Sequence, residues 1–479
     1  MKNISKCLAA ILLVVNLSSC VDLEPEPLSF FAPENTFMDK EGLEALLITS
    51  RKQIKWEWFG DAFNAGYCET PLVYEYAWSD VSVMGAPEVK EIHNLETQLT
   101  PTTSMALHLR YWDLAWNGIK YANTVISRVP KSTIDNETDK NELLAEGYFH
   151  RAYWYYLLVN QWGDVPLLLE EITEPKLDFY TVSRMKILQQ MKTDMEFAVK
   201  WLPKNVKPGC VNRAAGEHLL AKIYLSTGDF QLAVDATTRC INDYGLHLMK
   251  ERFGVNAEDA SLDVFNDLFQ EDNISSSENK EAIFVVQERY GIEGNVAPNG
   301  SARMRNFVPY WCNGAAVKTP DGKPGTTYDA GPYDGYEWVE KLGRGIAKIR
   351  PTNYSQYAIW GKCGNDLRHN ENNWFDISRL KYNRPASKGG SATYFGTPVQ
   401  RSFVTDTMRC YFSFPTVKTL IYKNDINKGK TPTGGFTDHY VFRLAETYLM
   451  RAEAYYWMGN AGINCFQLFI TQQHIIFFP

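Results

Sequence analysis

Three short stretches of the chain place aromatic rings beside polar side chains outside any helical spacing. They read LVYEYAWSD, NFVPYWCNG and GPYDGYEW. Aromatic rings offer a large contact area at low cost in side-chain entropy, and neighbouring carboxylates or amides can hydrogen-bond a polar ligand. The stretches therefore predict a surface that binds a flat-faced ligand, although any single loop ring could instead fill a local core. The candidate residues are Tyr74, Tyr76, Trp78, Asp80, Tyr310, Trp311, Asn313, Tyr333, Asp334, Tyr336 and Trp338.

The composition is that of a large globular protein with many aromatic residues. The chain has 479 residues, of which 45% are hydrophobic, 22% charged and 14% aromatic. Such a chain forms one large domain or two closely packed ones. The formal net charge is −7, so the basic surface of a nucleic-acid-binding protein is not expected.

Apolar residues recur at helical spacing in four segments that must position these loops. The spacing assigns Trp112, Trp116 and Tyr155 to helix stripes in the core rather than to a ligand site. The predicted helices run from Tyr111 to Pro130, from Asn141 to Gly163, from Ser183 to Pro203 and from Arg213 to Leu225.

The fourth helix continues through a turn at STGDF into a partner helix, and this pair resembles a tetratricopeptide (TPR) unit. Small residues stand where two helices would cross closely, and Gly228-Asp229 supplies the turn. Near the end of the chain, Ala452, Tyr455 and Gly459 repeat the offsets of the first half of this unit. Imperfect repeats of this kind predict an α-solenoid, although unrelated helical hairpins would show similar spacing.

The chain between about Lys250 and His439 has a different character. It contains one β-like run, KEAIFVVQER, within mostly irregular sequence, and ten of the 32 glycines lie between Gly291 and Gly345. Long irregular segments carried on a helical scaffold usually hold the functional residues. We therefore expect the ligand site on this loop-rich part.

The N-terminus has the layout of an export signal. Lys2 and Lys6 precede the apolar run CLAAILLVVNL, and the small residues Ser18 and Ser19 precede Cys20. The run is shorter than the roughly 20 residues that span a bilayer. Leu17-Ser18-Ser19-Cys20 resembles the bacterial lipobox, which predicts lipidation at Cys20, whereas an ordinary export signal with a chance cysteine is the alternative. The following VDLEPEPLSFFAP then reads as an extended, proline-rich tether.

Motifs for metal binding and catalysis are missing from the sequence. The cysteines show no CxxC or Cys/His spacing, and the chain has no HExxH or GxSxG motif. NDINKGK is a faint match to a calcium loop but lacks the remaining ligands. We expect no metal, no cofactor and no enzymatic activity.

Several segments, in their order along the chain, together resemble the SusD/RagB family of surface lipoproteins. They are the lipobox, YWDLAWNGIKYANTVI, EGYFHRAYWYYLLVNQWGDVPL, AAGEHLLAKIYLSTGDFQLAVDAT, NKEAIFVVQE, NDLR and FRLAETYLMRAEAYY. The resemblance implies a mainly α fold, in which TPR-like helix pairs form a superhelical scaffold that carries a long loop-rich insert. It also implies oligosaccharide or polysaccharide binding at the outer face of the outer membrane, as the lid of a TonB-dependent transporter of the SusC type.

Two other classes of function stay open on the residues alone. A glycan-degrading enzyme needs two carboxylates at a fixed separation, and the 56 acidic residues always offer some pair. A TPR-type scaffold for protein interaction, without any sugar role, would show the same helical repeats.

The expected division of the chain follows these segments. The final segment, AGINCFQLFITQQHIIFFP, has no Lys, Arg, Asp or Glu, and it departs from the polar helix that the family resemblance implies. We interpret it as an out-of-frame or truncated end, or else as a true variant that packs on its own body. The predicted parts are a signal peptide (1–19), a lipidated tether (20–40), an N-terminal helical region with TPR-like units (41–250), a C-terminal region that is loop-rich and then helical (251–460), and the atypical tail (461–479).

Overall fold

The structure is a computed structural model, and it confirms the mainly α fold with a long loop-rich part. It describes residues 37–59, 79–85, 106–295, 301, 303–328, 342–343, 345–412, 416–421 and 435–459. Cys20 and the tail 461–479 lie outside these residues, so the lipidation site and the interpretation of the tail stay predictions. None of the helices in the described part is both long and apolar enough to cross a membrane.

The helices are α1 (Lys40–Phe59), α2 (Ala106–Arg128), α3 (Glu137–Trp162), α4 (Arg184–Trp201), α5 (Arg213–Thr227), α6 (Phe230–Asn242), α7 (Val264–Leu268), α8 (Arg303–Phe307), α9 (Thr407–Tyr411) and α10 (Leu444–Trp457). Among the described residues, α1 to α6 and α10 are the longer helices, and α7, α8 and α9 have five residues each.

Local capping explains where the central helices start and stop. Asn136 accepts hydrogen bonds from the backbone of Thr138 and Asp139 and so caps α3. Asn212 caps α5 in the same way, through the backbone N–H of Ala215 at 2.8 Å. At the end of α5, Gly228 adopts φ 79°, a left-handed conformation that glycine reaches without strain.

Successive helices pack against each other from α1 to α6, and α10 packs on α6 and α5. Ala221, Ala233 and Cys240 are fully buried where α5 and α6 cross, as the TPR-like spacing predicts. The middle of α3 is buried on all sides from Phe149 to Tyr155, so α3 lies at the centre of the scaffold. This neighbour-on-neighbour packing is the arrangement by which α-solenoids build one continuous core.

Short antiparallel strand pairs join distant parts of the chain. The strands are β1 (Ser82–Met84), β2 (Val165–Pro166), β3 (Thr181–Val182), β4 (Ala282–Val286), β5 (Ile349–Pro351) and β6 (His439–Arg443), paired as β1 with β5, β2 with β3 and β4 with β6. Phe284 of β4 and Phe442 of β6 enter the same hydrophobic core as the helices. That core therefore contains residues from both sides of the boundary predicted at 250, and the division itself stays a prediction.

The loop-rich part between β4 and β6 has hydrophobic clusters of its own. Trp311, Leu380 and Tyr382 are buried in the largest of these clusters. Its described backbone includes a π-helical turn at Tyr354–Ala358 and 3₁₀ turns at Ile359–Lys362, Leu367–His369, Ile377–Arg379, Ala386–Lys388, Arg401–Phe403 and Val417–Thr419, while another 3₁₀ turn, Gly254–Asn256, precedes β4. A further 3₁₀ turn, Val129–Lys131, follows α2 in the helical part.

A buried histidine joins the helical scaffold to β6 and α10. His218 of α5 stacks on Phe442 with ring centres 4.4 Å apart. Its Nδ1 lies 2.9 Å from Thr447 Oγ1 and its Nε2 lies 3.1 Å from Glu446 Oε2. Burial lowers the pKa of His218, and desolvation likewise lowers the pKa of His150 and of His439.

We predict that the protein loses stability as the pH falls from 7 to 5. A histidine whose pKa is lower in the folded state than its unfolded value of about 6.5 binds its proton more readily after unfolding. Each such histidine can reduce the free energy of unfolding by up to about 1.4 kcal/mol per pH unit in this window. Urea denaturation of His218→Gln should show a shallower pH dependence than the unchanged chain.

His247→Gln provides the control for this measurement, because His247 is exposed. It should leave the pH dependence as it is. An equal slope for the unchanged chain and for His218→Gln would contradict the assignment of part of that slope to His218.

Candidate ligand-binding site

Most of the predicted ring-and-polar candidates lie outside the described residues. Four of the candidates are described: Asp80, Tyr310, Trp311 and Asn313. The remaining candidates, which stay predictions, are Tyr74, Tyr76, Trp78, Tyr333, Asp334, Tyr336 and Trp338.

Trp311 is a structural residue, which corrects the prediction that it contacts a ligand. Its side chain is 0% exposed and packs in the core of the loop-rich part. Its indole N–H donates a 2.8 Å hydrogen bond to the carbonyl of Gly343. A buried ring whose only polar atom is already paired has no face left for a ligand.

Tyr310 and Asn313, beside Trp311, are partly exposed but already make local contacts. The Arg409 guanidinium lies 5.0 Å from the centre of the Tyr310 ring, and the backbone N–H of Tyr310 donates to the carbonyl of Arg409 at 2.9 Å. Asn313 Oδ1 accepts a hydrogen bond from the backbone N–H of Ala315, which closes a tight turn. Tyr310 thus retains partial exposure, whereas the Asn313 carbonyl stabilises the loop.

Asp80 is exposed and lies beside a row of rings that sequence reasoning missed. Thr352 Oγ1 donates a 2.9 Å hydrogen bond to the Asp80 carbonyl, and Thr352 N donates to the Val81 carbonyl at 3.0 Å. Ser355 Oγ also donates to the Val81 carbonyl. These bonds extend the β1–β5 pairing and hold Asp80 against the start of the π-helical turn.

The row consists of Tyr354, Tyr357 and Trp360. Tyr354 and Tyr357 are 56% and 54% exposed, and Trp360 is partly exposed. The three rings follow each other at intervals of three residues along this π-helical turn and the 3₁₀ turn after it. Tyr354 and Tyr357 offer apolar ring surface to solvent, which is a surface of the kind that the sequence predicted elsewhere.

The Trp360 end of the row is fixed by neighbouring groups. The indole N–H of Trp360 donates to the carbonyl of Ser355 at 3.1 Å. The ring stacks with His369 at 4.6 Å between ring centres and lies 5.8 Å from the ring of Trp374. Desolvation lowers the pKa of His369, so its imidazole is neutral at pH 7. The ring orientation is therefore set before any ligand binds.

Polar groups border the two tyrosines of the row. Asn353 is exposed next to Tyr354 at the start of the row, and Arg401 is exposed near Tyr357, where its guanidinium lies 5.7 Å from the Phe412 ring. Phe412 contacts Tyr357 edge-to-face at 6.1 Å. The rings and the polar groups beside them offer stacking and hydrogen bonding to a ligand. Separately, no group of three or more Asp, Glu, His or Cys side chains that could hold a metal ion occurs among the described residues.

The spacing of these rings was visible in the sequence. YSQYAIW carries aromatic residues at i, i+3 and i+6, but this spacing also fits a core stripe, and only burial separates the two readings. The burial of these rings cannot be read from the local sequence. It depends on which side chains of the segment pack inward, and here Gln356 and Ser355 do so. Both of these side chains are buried.

A second recess lies in the helical scaffold. Trp112 and Trp116 of α2 pack against the main hydrophobic core, as their helical spacing predicts, but they are only partly buried. They also line a groove of about 680 Å³ beneath the segment that follows β2. Tyr155 is fully buried, in agreement with its core assignment. The groove is also lined by Asn117, Ile119, Lys120, Asn123, Pro166, Leu168, Glu170, Glu171, Ile172 and Phe179.

The far wall of this groove is anchored by a buried arginine. Arg151 of α3 makes a bidentate ion pair with Asp194 of α4, at 2.8 and 2.9 Å. Its Nη1 also donates to Asn123 Oδ1 at 3.1 Å and to the carbonyl of Leu169 at 2.8 Å. Asn123 in turn donates to the carbonyl of Leu168 at 2.9 Å. One guanidinium therefore ties α2, α3, α4 and the wall of the groove together.

Comparison with known proteins gives the family. Residues 69–225 match a family described as "Starch-binding associating with outer membrane", and residues 278–468 match the SusD family. The chain belongs to the SusD/RagB family.

A SusD-like protein P2 from Formosa agariphila is 27% identical over 238 residues, which are 49% of this chain and 45% of that protein. A SusD-like protein from Bacteroides ovatus is 27% identical over 185 residues, 36% of this chain and 32% of the relative. The chain thus spans less than half the length of these two SusD-like relatives.

Solved SusD-like structures show the same fold. A laminarin binding SusD-like protein superposes with a TM-score of 0.60 at 20% identity, over 90% of this chain and 82% of that chain. Surface glycan-binding protein A from Bacteroides thetaiotaomicron, in complex with laminarihexaose, superposes with a TM-score of 0.61 at 15% identity, over 91% and 83%. At these identities the likeness concerns the fold alone.

We predict that Arg151→Met lowers the free energy of unfolding by about 3–5 kcal/mol, because it leaves a buried carboxylate without its partner. Arg151 is 3% exposed and Asp194 is 4% exposed. Urea denaturation measures the loss. Arg379→Met is the control, since the Arg379–Glu371 pair is largely exposed and should contribute less than about 1 kcal/mol. Losses of equal size in the two variants would contradict the anchoring role of Arg151.

Proposed function

We propose that this SusD-family protein is a cell-surface glycan-binding lipoprotein. The observation that carries the proposal is the row of Tyr354, Tyr357 and Trp360 on the loop-rich part, in which both tyrosines are more than half exposed and Trp360 is partly exposed. The apolar C–H faces of a sugar stack on such rings, while the sugar hydroxyls need polar partners such as Asp80, Asn353 and Arg401. Tyr310 and Asn313 lie in the same loop-rich part and remain candidates for contact with the glycan.

The proposal includes a place at the outer membrane. The family described as associating with the outer membrane matches residues 69–225, and Cys20 stands where a lipobox would place the lipid. The protein would be lipid-anchored on the outer face and would act as the lid of a TonB-dependent transporter of the SusC type. A lid must bind its ligand and release it to the transporter, which suits stacking and hydrogen bonding better than covalent chemistry.

The relatives support binding rather than catalysis as the function. Their names describe laminarin binding and surface glycan binding. Isothermal titration against a panel of oligosaccharides that includes laminarihexaose tests the function directly. Binding without turnover supports it, turnover would support a glycan-degrading enzyme, and neither binding nor turnover would favour a protein-interaction scaffold.

We predict that Tyr357→Ala weakens oligosaccharide binding about five- to thirtyfold, since truncation of a stacking ring removes about 1–2 kcal/mol of contact energy. Tyr354→Ala should act in the same direction. Titration with the tightest-binding member of the panel gives the dissociation constants.

The matched control is Tyr456→Ala on α10, because Tyr456 is 58% exposed and lies away from the row. It should leave the affinity unchanged. If all three variants bind as tightly as the unchanged chain, the ligand site lies elsewhere on the protein.

We also predict that Cys20→Ala releases the protein from the membrane while glycan binding in solution is retained. The lipid anchor would be the only link that is lost, because stable membrane attachment depends on the acyl chains. Membrane fractionation and titration of the released protein check the two halves of this prediction. Membrane retention of the variant would contradict lipidation at Cys20.

A further inference from the structure

The groove of the helical scaffold presents apolar side chains that face solvent. Ile172 is 49% exposed and Phe179 is 42% exposed, and both line the groove together with Trp112 and Trp116. The tryptophan rings are preorganised by edge-to-face contacts, 5.4 Å between Trp112 and Trp116 and 6.1 Å between Trp116 and Tyr155. An apolar recess of this size is typical of a binding site rather than of an ordinary surface.

The described chain begins beside one end of this groove. The Arg128 guanidinium, at the C-terminal end of α2, lies 5.9 Å from the centre of the Phe37 ring. Arg128 also makes a bidentate pair with Glu171, at 2.6 and 2.9 Å, and Glu171 lines the groove. Thr133 N donates to the carbonyl of Met38 at 2.8 Å and helps to hold this part of the chain in place. Phe37 therefore lies at the mouth of the groove.

We propose that the groove is an intramolecular docking site for Phe30 and Phe31 of the chain's own N-terminal segment. The segment preceding Phe37 reads VDLEPEPLSFFAPENT, and this phenylalanine pair is its largest apolar feature. The proposal is independent of the proposed glycan site, which lies on the loop-rich part.

The lengths of the two elements match. Along α2, Trp116 lies 12 positions before Arg128, which is about 18 Å at 1.5 Å per residue. An extended chain covers at most about 3.6 Å per residue, so the six residues from Phe37 back to Phe31 reach at most about 22 Å. Seven residues reach at most about 25 Å, which brings Phe30 within reach of Trp112, about 24 Å from Arg128. The segment is thus long enough to lay both rings over both tryptophans.

The chemistry of the segment also suits this groove. Proline has no backbone N–H and favours extended backbone in the residue before it, so Pro33 is well suited to lie along a surface without ladder hydrogen bonds. In an extended segment, Glu34 would lie about 10 Å from Phe37. Lys120 lies about 12 Å from Arg128 along α2, so the two side chains would be close to each other along the groove. Lys120 is exposed at the rim of the groove and offers a cation to that carboxylate.

Hydrogen exchange of the full chain, expressed with Cys20→Ala to avoid acylation, tests the docking. The groove wall is exposed at every residue from 172 to 181, so its amides exchange rapidly unless something covers them. Phe30→Ala combined with Phe31→Ala should raise exchange in residues 168–180 at least about tenfold. Val21→Ala combined with Leu23→Ala is the matched control, because a segment that extends from Phe37 and places Phe30 at Trp112 would carry these two residues past the end of the groove, so their loss should leave exchange unchanged.

A reciprocal variant changes the groove and measures the effect on the N-terminal segment. Ile172→Glu places a charge in the apolar groove and should speed exchange in residues 26–36. The control is Val255→Glu, because Val255 is an apolar residue outside the groove with a similar exposure, 55%. This variant should leave exchange in residues 26–36 unchanged. Because Ile172 is half exposed, folding should survive the substitution, and a thermal melt verifies this.

Three results would overturn the proposal. One is unchanged exchange in residues 168–180 on removal of both phenylalanine rings. Another is protection of the groove that arises only when an oligosaccharide is added, which would make the groove a ligand site. The third is protection that rises with protein concentration, which would assign the groove to a second copy of the chain.

Discussion

The buried ion pair between Arg151 and Asp194 is the interaction on which the helical scaffold depends most. Taking two charges out of water is costly, and only good geometry and further hydrogen bonds offset that cost. The fork of Arg151 meets both oxygens of Asp194, and its remaining donor reaches Asn123 and the carbonyl of Leu169. A guanidinium that is satisfied in this way specifies one relative position for α2, α3 and α4. The groove wall follows from the same contacts.

The loop-rich part is held by a different principle. Its backbone makes few regular ladders, so its shape depends on buried side chains that bond to backbone carbonyls, as Trp311 does to Gly343 and Gln356 to Tyr411. Residues that hold the fold and residues that face solvent therefore alternate along the same short stretches. Gln356 is buried between two exposed tyrosines, Tyr354 and Tyr357.

The helical part could be predicted because its physics is local. Periodic apolar residues, Gly228 at a left-handed turn and small residues at the crossing of α5 and α6 all act within a few residues of each other. The exposure of an aromatic ring in a loop, in contrast, is not decided by residues close to it in sequence. Trp311 and Tyr354 both lie in irregular sequence, and only contacts with residues distant in the chain decide that one is buried and the other exposed. Periodicity also placed Trp112 and Trp116 correctly against the core, but a helix stripe does not show where a neighbouring wall leaves a gap, so it could not predict that both rings also line a groove.

The pairing of β4 with β6 has a consequence for how such proteins diversify. Val286 pairs with His439, so the two ends of the loop-rich part meet on the helical core. The entropy of closing a loop grows only with the logarithm of its length, about 0.6 kcal/mol for each doubling. Insertions and deletions between these strands therefore perturb the scaffold very little. With the ligand site on the insert, as proposed above, descendants of one ancestral chain could change the ligand that they recognise while they keep the same helical body.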